Sequence, residues 1–331
     1  MRVLSTVIAA LYGDGEGRGP ARNSRHTQIL SCLRRGIEGE TEPSWNWILT
    51  TLRREGFVTE AVQLMDTRRI TQAEVMVDHH EIITSACPSY PQLLLNNMGR
   101  SAPPVLWVSD PSMAVTPPWK DENGLDRFTV GGVGCRQPLT VGIAMARAAG
   151  SWSADRGYLG VSGAATGCDT AFGDGVLAGR GDVLHFLPCG INHGRWLGYA
   201  VSVCPPHETF SAGRAMERNS LIYAMAHFTL VCSARFRMGG SWQGAAAAIK
   251  GHQAVAVADW TSTGHAASLI EHNQGTYGVA QRALANLGAY RVAVDLASYR
   301  EELPLALDDA MAWAYDFRSG AANCGLFANA G

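Results

Sequence analysis

A repeating order of strand, glycine-rich turn and helix runs through the middle of this 331-residue chain and limits the folds open to it. Apolar, strand-like segments alternate with helical patterns from Arg127 to Asp259. Strands joined by helices run parallel with right-handed crossovers, because each helix carries the chain back to the same edge of the sheet. We therefore predict an α/β fold with a mostly parallel sheet and helices on both faces.

The alternating segments have the lengths expected of buried strands and short connecting helices. Strands are predicted within residues 105–108, 127–134, 157–163, 182–188, 199–206, 227–234 and 252–259, and helices within 137–150, 168–179, 217–226 and 241–250. In an open sheet of this kind, ligands bind beyond the carboxyl ends of the strands. The turns that leave those ends are therefore the candidate site.

The two ends of the chain carry a different pattern from its middle. Residues 1–80 alternate helical patterns with polar breaks, which indicates a small helical N-terminal domain with a glycine-rich loop at 13–24. Residues 81–274 hold the strands and helices of the sheet. Residues 275–331 form a C-terminal extension with two helical patterns around one strand. We predict three parts with these boundaries.

Composition and charge exclude several classes of function. The net charge of −2 gives no general attraction to polyanions, so any nucleic-acid surface must be a local patch. Eight cysteines without a C-x-x-C pair are typical of reduced thiols in a cytosolic protein and predict neither disulfides nor structural zinc. The first segment lacks a signal-peptide cleavage site, and no span reaches membrane length. We expect a cytoplasmic protein. His79, His80 and Glu81 lack a second ligand pair at metal spacing, and the chain has no G-x-S-x-G motif, so we expect no metal, no cofactor and no enzymatic activity.

The first turn of the candidate site contains Gly134, Cys135 and Arg136, between a strand and a helix. Glycine amides and a guanidinium group at a helix start are suited to an anion. The dinucleotide fingerprint G-x-G-x-x-G is incomplete, because it would need a glycine at Gln137. An equally good interpretation makes Arg136 an ordinary solvated residue after a tight turn.

The second turn is rich in small residues that expose backbone donors to an anion: Ser162, Gly163, Ala164, Thr166 and Gly167. Asp169 follows them at the start of the next helix. Its carboxylate either caps that helix or orients Arg136 by an ion pair, and capping alone is favoured.

The third set comprises Arg214, Arg218 and Asn219, at the start of the helix predicted at 217–226. Two interpretations are open. In the favoured one, Arg218 and Asn219 line the floor of a ligand pocket, where the guanidinium binds a phosphate and the amide fixes a loop or a base edge. In the other, Asn219 caps its helix and Arg218 pairs with Asp169 in a purely structural network.

Short motifs between residues 85 and 272 occur in the order and spacing of one protein family. They are SYP, APPVLWVSD, VGGVGCRQP, VSGAATGCDTA, LPCGI, VCPP, ERNSLI, MGGSWQGA and GHAASLIEHN. Each is weak alone, but together they resemble the DNA-processing protein A (DprA/Smf) family. The resemblance implies a Rossmann-like domain that binds single-stranded DNA in a positive pocket, dimerises, and loads a RecA-type recombinase during natural transformation.

The family's functional stretches fall on all three turns. Its Gly-Ser-Arg turn corresponds to Gly134, Cys135 and Arg136, and its Ser-Gly-Gly-Ala-Arg-Gly-Ile-Asp stretch to residues 162–169, with Thr166 in place of arginine.

The third stretch and its neighbours also match with changes. Arg218 and Asn219 match the start of the family's Arg-Asn-Arg, and Ser220 replaces its second arginine. The histidine that usually follows the aspartate in the family corresponds to Gly173 in this chain. The family's Ser-Gly-Ser turn falls on Gly239, Gly240 and Ser241 with one inserted residue.

The loss of two arginines weakens phosphate binding, because such contacts come mainly from Arg and Lys. The chain has four further cations, Arg214, Arg235, Arg237 and Lys250. They either compensate for the two missing arginines or are ordinary surface charge, and the two interpretations are equally good. Bases could stack on Phe236, Trp242 and Trp260, although tryptophan in such patterns is more often core. We expect a divergent member of the family.

Three functions stay open. The favoured one is a non-catalytic, homodimeric single-stranded DNA-binding protein of DNA processing, recombination or anti-phage defence, with a RecA-type recombinase as partner and no membrane contact. The second is a nucleotide sensor related to the LOG phosphoribohydrolases; RMGGSWQGAAAA lacks their threonine and glutamate, so hydrolysis has no evident agent. The third is an antitoxin-like or regulatory protein of a defence or toxin–antitoxin system, with a cognate toxin as partner.

Overall fold

The computed structural model describes residues 2–14, 20–35, 43–260, 275–295 and 298–323. The chain divides into two compact units. The first unit comprises Met1–Pro117, Cys189–Gly194 and Ala200–Phe210, and the second Pro118–Pro188, Arg195–Tyr199 and Ser211–Gly331. The domain boundaries at residues 80 and 274 stay predictions, and the second adjoins a stretch outside the described residues.

The first unit is mainly helical, as predicted for the start of the chain. Its helices are α1 (Arg2–Tyr12), α2 (Pro20–Arg35), α3 (Trp45–Arg54), α4 (Val58–Gln63), α5 (Thr67–Asp78) and α6 (Gln92–Met98). Three strands, β1 (Ile82–Thr84), β2 (Val105–Val108) and β6 (Tyr199–Ser202), pair antiparallel in the order β1-β2-β6. The predicted loop at 13–24 is shorter, because α2 begins at Pro20; residues 15–19 lie outside the described residues.

Apolar side chains at helical spacing hold the first unit together. Val7, Ile8 and Leu11 of α1 are buried in one cluster with Leu33 and Leu52 from α2 and α3. Side chains also satisfy the exposed backbone amides at helix starts. Ser44 accepts from the Trp47 amide at the start of α3, and Asp66 accepts from the Arg68 amide at the start of α5.

The second unit is built on six parallel strands, counted over the part of the chain that is described. They are β3 (Thr129–Gly134), β4 (Leu159–Ser162), β5 (Val183–Leu187), β7 (Phe228–Ser233), β8 (Val255–Asp259) and β9 (Tyr290–Ala293), in the order β5-β4-β3-β7-β8-β9. Between and after them lie α7 (Thr140–Asp155), α8 (Cys168–Ala178), α9 (Ala212–Ala224), α10 (Gly239–Lys250), α11 (Gly275–Asn286) and α12 (Tyr299–Asn323). The predicted mostly parallel, Rossmann-like fold is confirmed.

Alternate residues of each strand face two different layers of helices. Val130 of β3 and Leu230 of β7 are fully buried in one cluster with Met145 of α7, Phe172 of α8 and Leu307 of α12. The helices α9 and α10 pack on each other and on β7. The β strands are therefore covered on both faces, which explains their nearly continuous apolar sequences.

Glycines allow α8 to lie very close to its neighbours. A Cβ on Gly132 would lie 2.1 Å from the ring of Phe172, and a Cβ on Gly150 would lie 2.1 Å from the Phe172 carbonyl oxygen. On α8 itself, a Cβ on Gly175 would lie 2.0 Å from the Arg147 carbonyl oxygen. A larger residue at any of these positions would push α8 away, and α8 carries part of the candidate site.

No disulfide joins the described cysteines. None of the described helices combines the length and apolar character needed to cross a bilayer. Among the same residues, no cluster of His, Cys, Asp and Glu is arranged to hold a metal ion.

The buried imidazole of His185 should make the stability of the protein depend on pH. Its Nε2 donates to the Leu197 carbonyl oxygen at 3.1 Å, and burial lowers its pKa from 6.5 to about 4. As pH falls from about 6.5 to 4, His185 becomes protonated in the unfolded chain but stays neutral in the folded chain. The free energy of unfolding therefore decreases over this range. His185→Gln should reduce the loss between pH 7 and pH 5 by about 2 kcal/mol in urea unfolding.

The exposed His79 provides the control for this experiment. His79→Gln should leave the pH dependence of unfolding as it is in the natural sequence. An unchanged pH dependence in His185→Gln would show that His185 is not the group responsible.

Candidate functional site

The turns that follow β3, β4 and β7 lie side by side, because β3 pairs with both β4 and β7. Backbone hydrogen bonds join them directly. The Cys135 amide donates to the Ser233 carbonyl oxygen at 2.9 Å, and the Cys168 amide donates to the Cys135 carbonyl oxygen at 3.3 Å. The residues predicted from the first and second turns therefore meet at the carboxyl edge of the sheet.

A buried ion pair lies at the centre of this edge. Arg218 Nη1 of α9 is 3.7 Å from Asp169 Oδ2 of α8, and the two side chains are 5% and 6% exposed. Burial raises the pKa of Asp169, while Arg218 and nearby backbone amides oppose that rise. The two side chains tie α9 to the start of α8.

The carboxylate of Asp169 also takes the backbone donors that the sequence offered to a ligand. The Gly134 amide donates to Asp169 Oδ1 at 3.3 Å. The amides of Gly163 and Ala165 stabilise the same carboxylate by hydrogen bonds. The amide-lined turns thus hold an anion supplied by the protein itself.

Two positions of the second turn, Gly163 and Gly167, have no room for a side chain. A Cβ on Gly163 would lie 1.6 Å from Arg218 Nη1 and 2.6 Å from Asp169 Oδ2. Gly167 has φ +89°, and a Cβ there would lie 2.5 Å from the Cys135 carbonyl oxygen. Ser162 is buried, and its Oγ donates to the Gly132 carbonyl oxygen at 2.7 Å. Ala164 in this turn also has positive φ, at 53°.

These contacts correct the predicted role of Asp169 and the predicted start of α9. Gly167 is the N-cap of α8, so Asp169 does not cap that helix, and its carboxylate pairs with Arg218 instead of Arg136. The helix α9 starts at Ala212, where Ser211 accepts from the Arg214 amide at 3.1 Å. The signal for that start was Ser211 itself, a preferred N-cap residue directly before the helix.

Arg218 and Asn219 are therefore mid-helix residues, not residues at a helix start, and Asn219 does not cap α9. Asn219 is half-buried beside the first turn of α10, where a Cβ on Gly240 would lie 3.0 Å from its Nδ2. Ser241 follows in that turn and is half-buried.

Arg136 and Arg218 differ sharply in exposure. Arg136 is exposed after β3, whereas Arg218 is buried with Asp169 against the backbone of Gly163. Arg218 thus does not line the floor of an open ligand pocket, as the favoured interpretation of the sequence held. The physical reason is that a buried arginine needs a counter-charge, and Asp169 provides it.

His185 is a member of this network that the sequence did not indicate. The position of the family histidine falls on Gly173, and a Cβ on Gly173 would lie 3.2 Å from His185 Cε1. The charge of Arg218 contributes to the lowered pKa of His185. An imidazole from β5 therefore lies where a side chain from α8 would begin.

Exposed positive charge lies around this buried centre. Arg235 follows β7, and its Nη2 lies 3.5 Å from Gln137 Oε1, next to Arg136 in the chain. Its Nε donates to Tyr277 Oη at 2.9 Å, and Tyr277 donates to the Gln137 carbonyl oxygen at 2.7 Å. Arg237 is exposed two residues further on. We name Arg136, Arg235 and Arg237 the cationic rim.

Aromatic side chains border the cationic rim. The rings of Phe236 and Trp242 meet edge to face with centroids 5.1 Å apart, and both residues are half-buried. The guanidinium carbon of Arg237 lies 5.1 Å from the centroid of Phe236. Trp260 is 1% exposed in the core, so it is not a platform for bases. Lys250 lies at the last residue of α10, the end remote from the rim.

The thiol of Cys135 introduces a titratable group beside the rim. Its pKa is lowered to about 6, chiefly by a hydrogen bond with Cys168, with further contributions from Ser233 and Arg235. The pKa of Cys168 is raised by the same hydrogen bond and by burial. At a given pH, Cys135 therefore has more thiolate character than an ordinary cysteine, at the position of the family's serine.

Comparison with known proteins identifies the family. The family model of DNA recombination-mediator protein A matches residues 81–286, well over half of the chain. The chain belongs to this family. The predicted resemblance to the DprA/Smf proteins is thereby confirmed. The matched region includes every residue predicted for the site and the whole cationic rim.

Three solved structures are similar to this chain, and the first of them shares its fold. DNA processing protein A (DprA) from Streptococcus pneumoniae has a TM-score of 0.58 and 16% identity, covering 84% of this chain and 93% of that one. The single-stranded DNA-binding DprA from Helicobacter pylori has a TM-score of 0.44 and 18% identity, covering 63% and 96%. The molybdenum cofactor binding protein of Rippkaea orientalis has a TM-score of 0.39 and 15% identity, covering 56% and 98%. No curated protein matches the chain by sequence.

Alanine at Gly163 should disrupt the buried ion pair of this DprA-family chain. The new Cβ would overlap Arg218 Nη1, so the pair must separate inside the protein. Breaking a buried pair leaves uncompensated charge, and we expect a loss of about 3–5 kcal/mol in the free energy of unfolding. Urea unfolding followed by circular dichroism measures it.

Gly213→Ala is the matched control. Gly213 lies in the first turn of α9, and a Cβ there meets nothing within 4 Å. This change should stabilise the protein by less than about 1 kcal/mol, because alanine is the better helix former. Equal stability of Gly163→Ala and the natural sequence would refute the close packing at Gly163.

Proposed function

We propose that this chain binds single-stranded DNA on the cationic rim and acts in DNA recombination as a binding protein without catalysis. The observation that carries the proposal is the cluster of Arg136, Arg235 and Arg237 on neighbouring turns at the carboxyl edge of the sheet. Neither Arg235 nor Arg237 forms an ion pair with a described carboxylate. Membership of the recombination-mediator family supports the same role.

Phosphate contacts come from the rim, and base contacts come from its aromatic border. Arginine binds phosphate oxygens through paired N–H donors. Phe236 and Trp242 offer partly exposed ring surface next to Arg237, and stacking contributes about 1–3 kcal/mol per base. Such a surface holds a flexible single strand without reading its sequence.

The residues predicted for the site divide into two roles in this proposal. The exposed Arg136 and Thr166 contact the strand, with Gly240 and Ser241 at the adjacent start of α10. Asp169, Arg218 and Asn219 fix the turns from within and do not contact DNA. Arg214, half-buried in the first turn of α9, extends the positive charge.

A titration of labelled oligo-dT by fluorescence anisotropy tests the proposal. Arg136→Ala, Arg235→Ala and Arg237→Ala should each weaken binding. Each should also reduce the slope of log K against log salt concentration by about 0.7, the value for one lost contact to a single-stranded phosphate. Lys250→Ala, at the remote end of α10, should leave affinity and slope unchanged.

Failure of the natural sequence to bind oligo-dT at low salt would refute DNA binding. Normal binding by all three rim variants would place the DNA elsewhere.

Cys135 makes DNA binding dependent on pH. Because the pKa of Cys135 is lowered, the fraction of phosphate-repelling thiolate grows as pH rises from 5 to 8, so affinity for oligo-dT should fall over that range. Cys135→Ser removes the charge and restores the family's usual residue, so the variant should bind more tightly at pH 8 and equally at pH 5. The same anisotropy assay measures both, and an equal pH dependence of the two proteins would refute the role of the thiolate.

One observation favours a second function, that of a regulatory partner-binding protein. Thr166 and Ser220 stand where the family pattern has arginines, which leaves fewer cations for a nucleic acid than that pattern provides. A cognate toxin or a RecA-type recombinase would be such a partner, and assembly as a homodimer remains part of the proposal. Loss of oligo-dT binding in the assay above would favour this function.

A further inference from the structure

A cavity of about 350 Å³ opens at the edge of the parallel sheet opposite the candidate site. Phe128 and His227 line it, and they directly precede β3 and β7, at the amino ends of these strands. The rest of the lining belongs to one face of α12: Met311, Tyr315, Arg318 and Ser319. Spacings of four residues from Met311 to Tyr315, three from Tyr315 to Arg318 and four from Tyr315 to Ser319 place these side chains on one helix surface.

Aromatic rings form one wall of the cavity and are already fixed in position. The ring of Phe128 packs against His227 with centroids 4.9 Å apart and against Tyr158 with centroids 5.7 Å apart. Phe128 is nevertheless 43% exposed, and Tyr315 is 64% exposed. Large rings that stay accessible in a concave site are the usual binding surface for planar ligands.

Arg318 brings a positive charge into this apolar cavity. Burial lowers the pKa of its guanidinium group. No described carboxylate forms an ion pair with Arg318, in contrast to Arg156, which pairs with Asp308 on an earlier turn of α12. A half-buried guanidinium group without a protein anion is suited to an anionic ligand, which it can bind through two parallel N–H groups.

His227 adds a neutral donor. Its Nδ1 accepts from the Thr129 amide at 3.0 Å, so the ring proton lies on Nε2. Thr129 Oγ1 uses its own proton on the Met225 carbonyl oxygen at 2.7 Å. The carboxylate that influences His227, that of Asp126, is neutralised by Lys120 at 2.7 Å.

We propose that this cavity binds a small planar aromatic anion, whose ring stacks on Phe128 and whose acidic group pairs with Arg318. Its volume is at the lower end of the roughly 300–1,000 Å³ of small-molecule sites, which suits one ring system and excludes an oligonucleotide. An aromatic carboxylate and a nucleoside monophosphate share the required chemistry. The site is separate from the cationic rim, so it stands or falls independently of DNA binding.

Isothermal titration of the full chain with two probes tests the proposal and distinguishes the two sources. Indole-3-carboxylate represents the carboxylates, and adenosine 5′-monophosphate represents the nucleotides. At least one should bind at millimolar concentration or below, and indole or inorganic phosphate alone should bind about tenfold more weakly or worse. Arg318→Gln should weaken the bound probe about tenfold, because it removes a charge-assisted pair. Phe128→Ala should weaken it as well.

Arg282→Gln, an exposed arginine on α11, is the matched control and should bind the probe like the natural sequence. Circular dichroism and light scattering on every variant show that each is folded and report its mass. The proposal is overturned if neither probe binds, or if Arg318→Gln binds as well as the control. It is also overturned if Tyr315→Ser converts a dimer into a monomer while no probe binds, because this face would then contact a second copy of the chain.

Discussion

The ion pair of Arg218 with Asp169 is the interaction on which the arrangement of the site depends. A buried charge must be compensated, and here the compensation is shared between a guanidinium group and backbone amides from two turns. These groups come from α9, α8 and the turn after β3, which are distant in the chain. Because the buried carboxylate needs both the guanidinium group and the amides, these contacts fix the positions of the three segments relative to one another. No short stretch of sequence would do so alone.

The same interaction determines which residues remain for a ligand. Amides that donate to Asp169 cannot also donate to a phosphate, and the guanidinium of Arg218 is too buried to reach one. The exposed positive charge is therefore on the turns after β3 and β7. There, Gln137 and Tyr277 hold Arg235 by hydrogen bonds. The position of this arginine in the cationic rim is therefore fixed by the residues that pack beside it.

The sequence was sufficient for the fold because its evidence is local. Strand and helix periodicity located five of the six parallel strands, and the glycine turns located the carboxyl edge. The sixth strand, β9, was predicted as part of the C-terminal extension and joins the sheet beside β8. The motif order gave the family. The exposure of side chains was harder to predict. The sequence near Arg218 is the same whether its side chain faces solvent or a buried carboxylate, and only the position of Asp169 in the fold determines that Arg218 is buried. The predicted start of α9 was wrong, since the Ser211 cap determines it. Trp260 lies in the core, which is the interpretation that the sequence favoured.

Several positions at which this chain departs from the family pattern lie in or beside the turns of the site. Gly173 stands at the position that the resemblance assigns to a histidine, and the imidazole of His185 on β5 lies close to it. Thr166 replaces a family arginine, while the turn after β7 carries Arg235 and Arg237. Family resemblance transfers residue by residue only while each position keeps its neighbours. The arginines of the cationic rim lie on the turns after β3 and β7, so the function has to be sought in the surface that these turns form together.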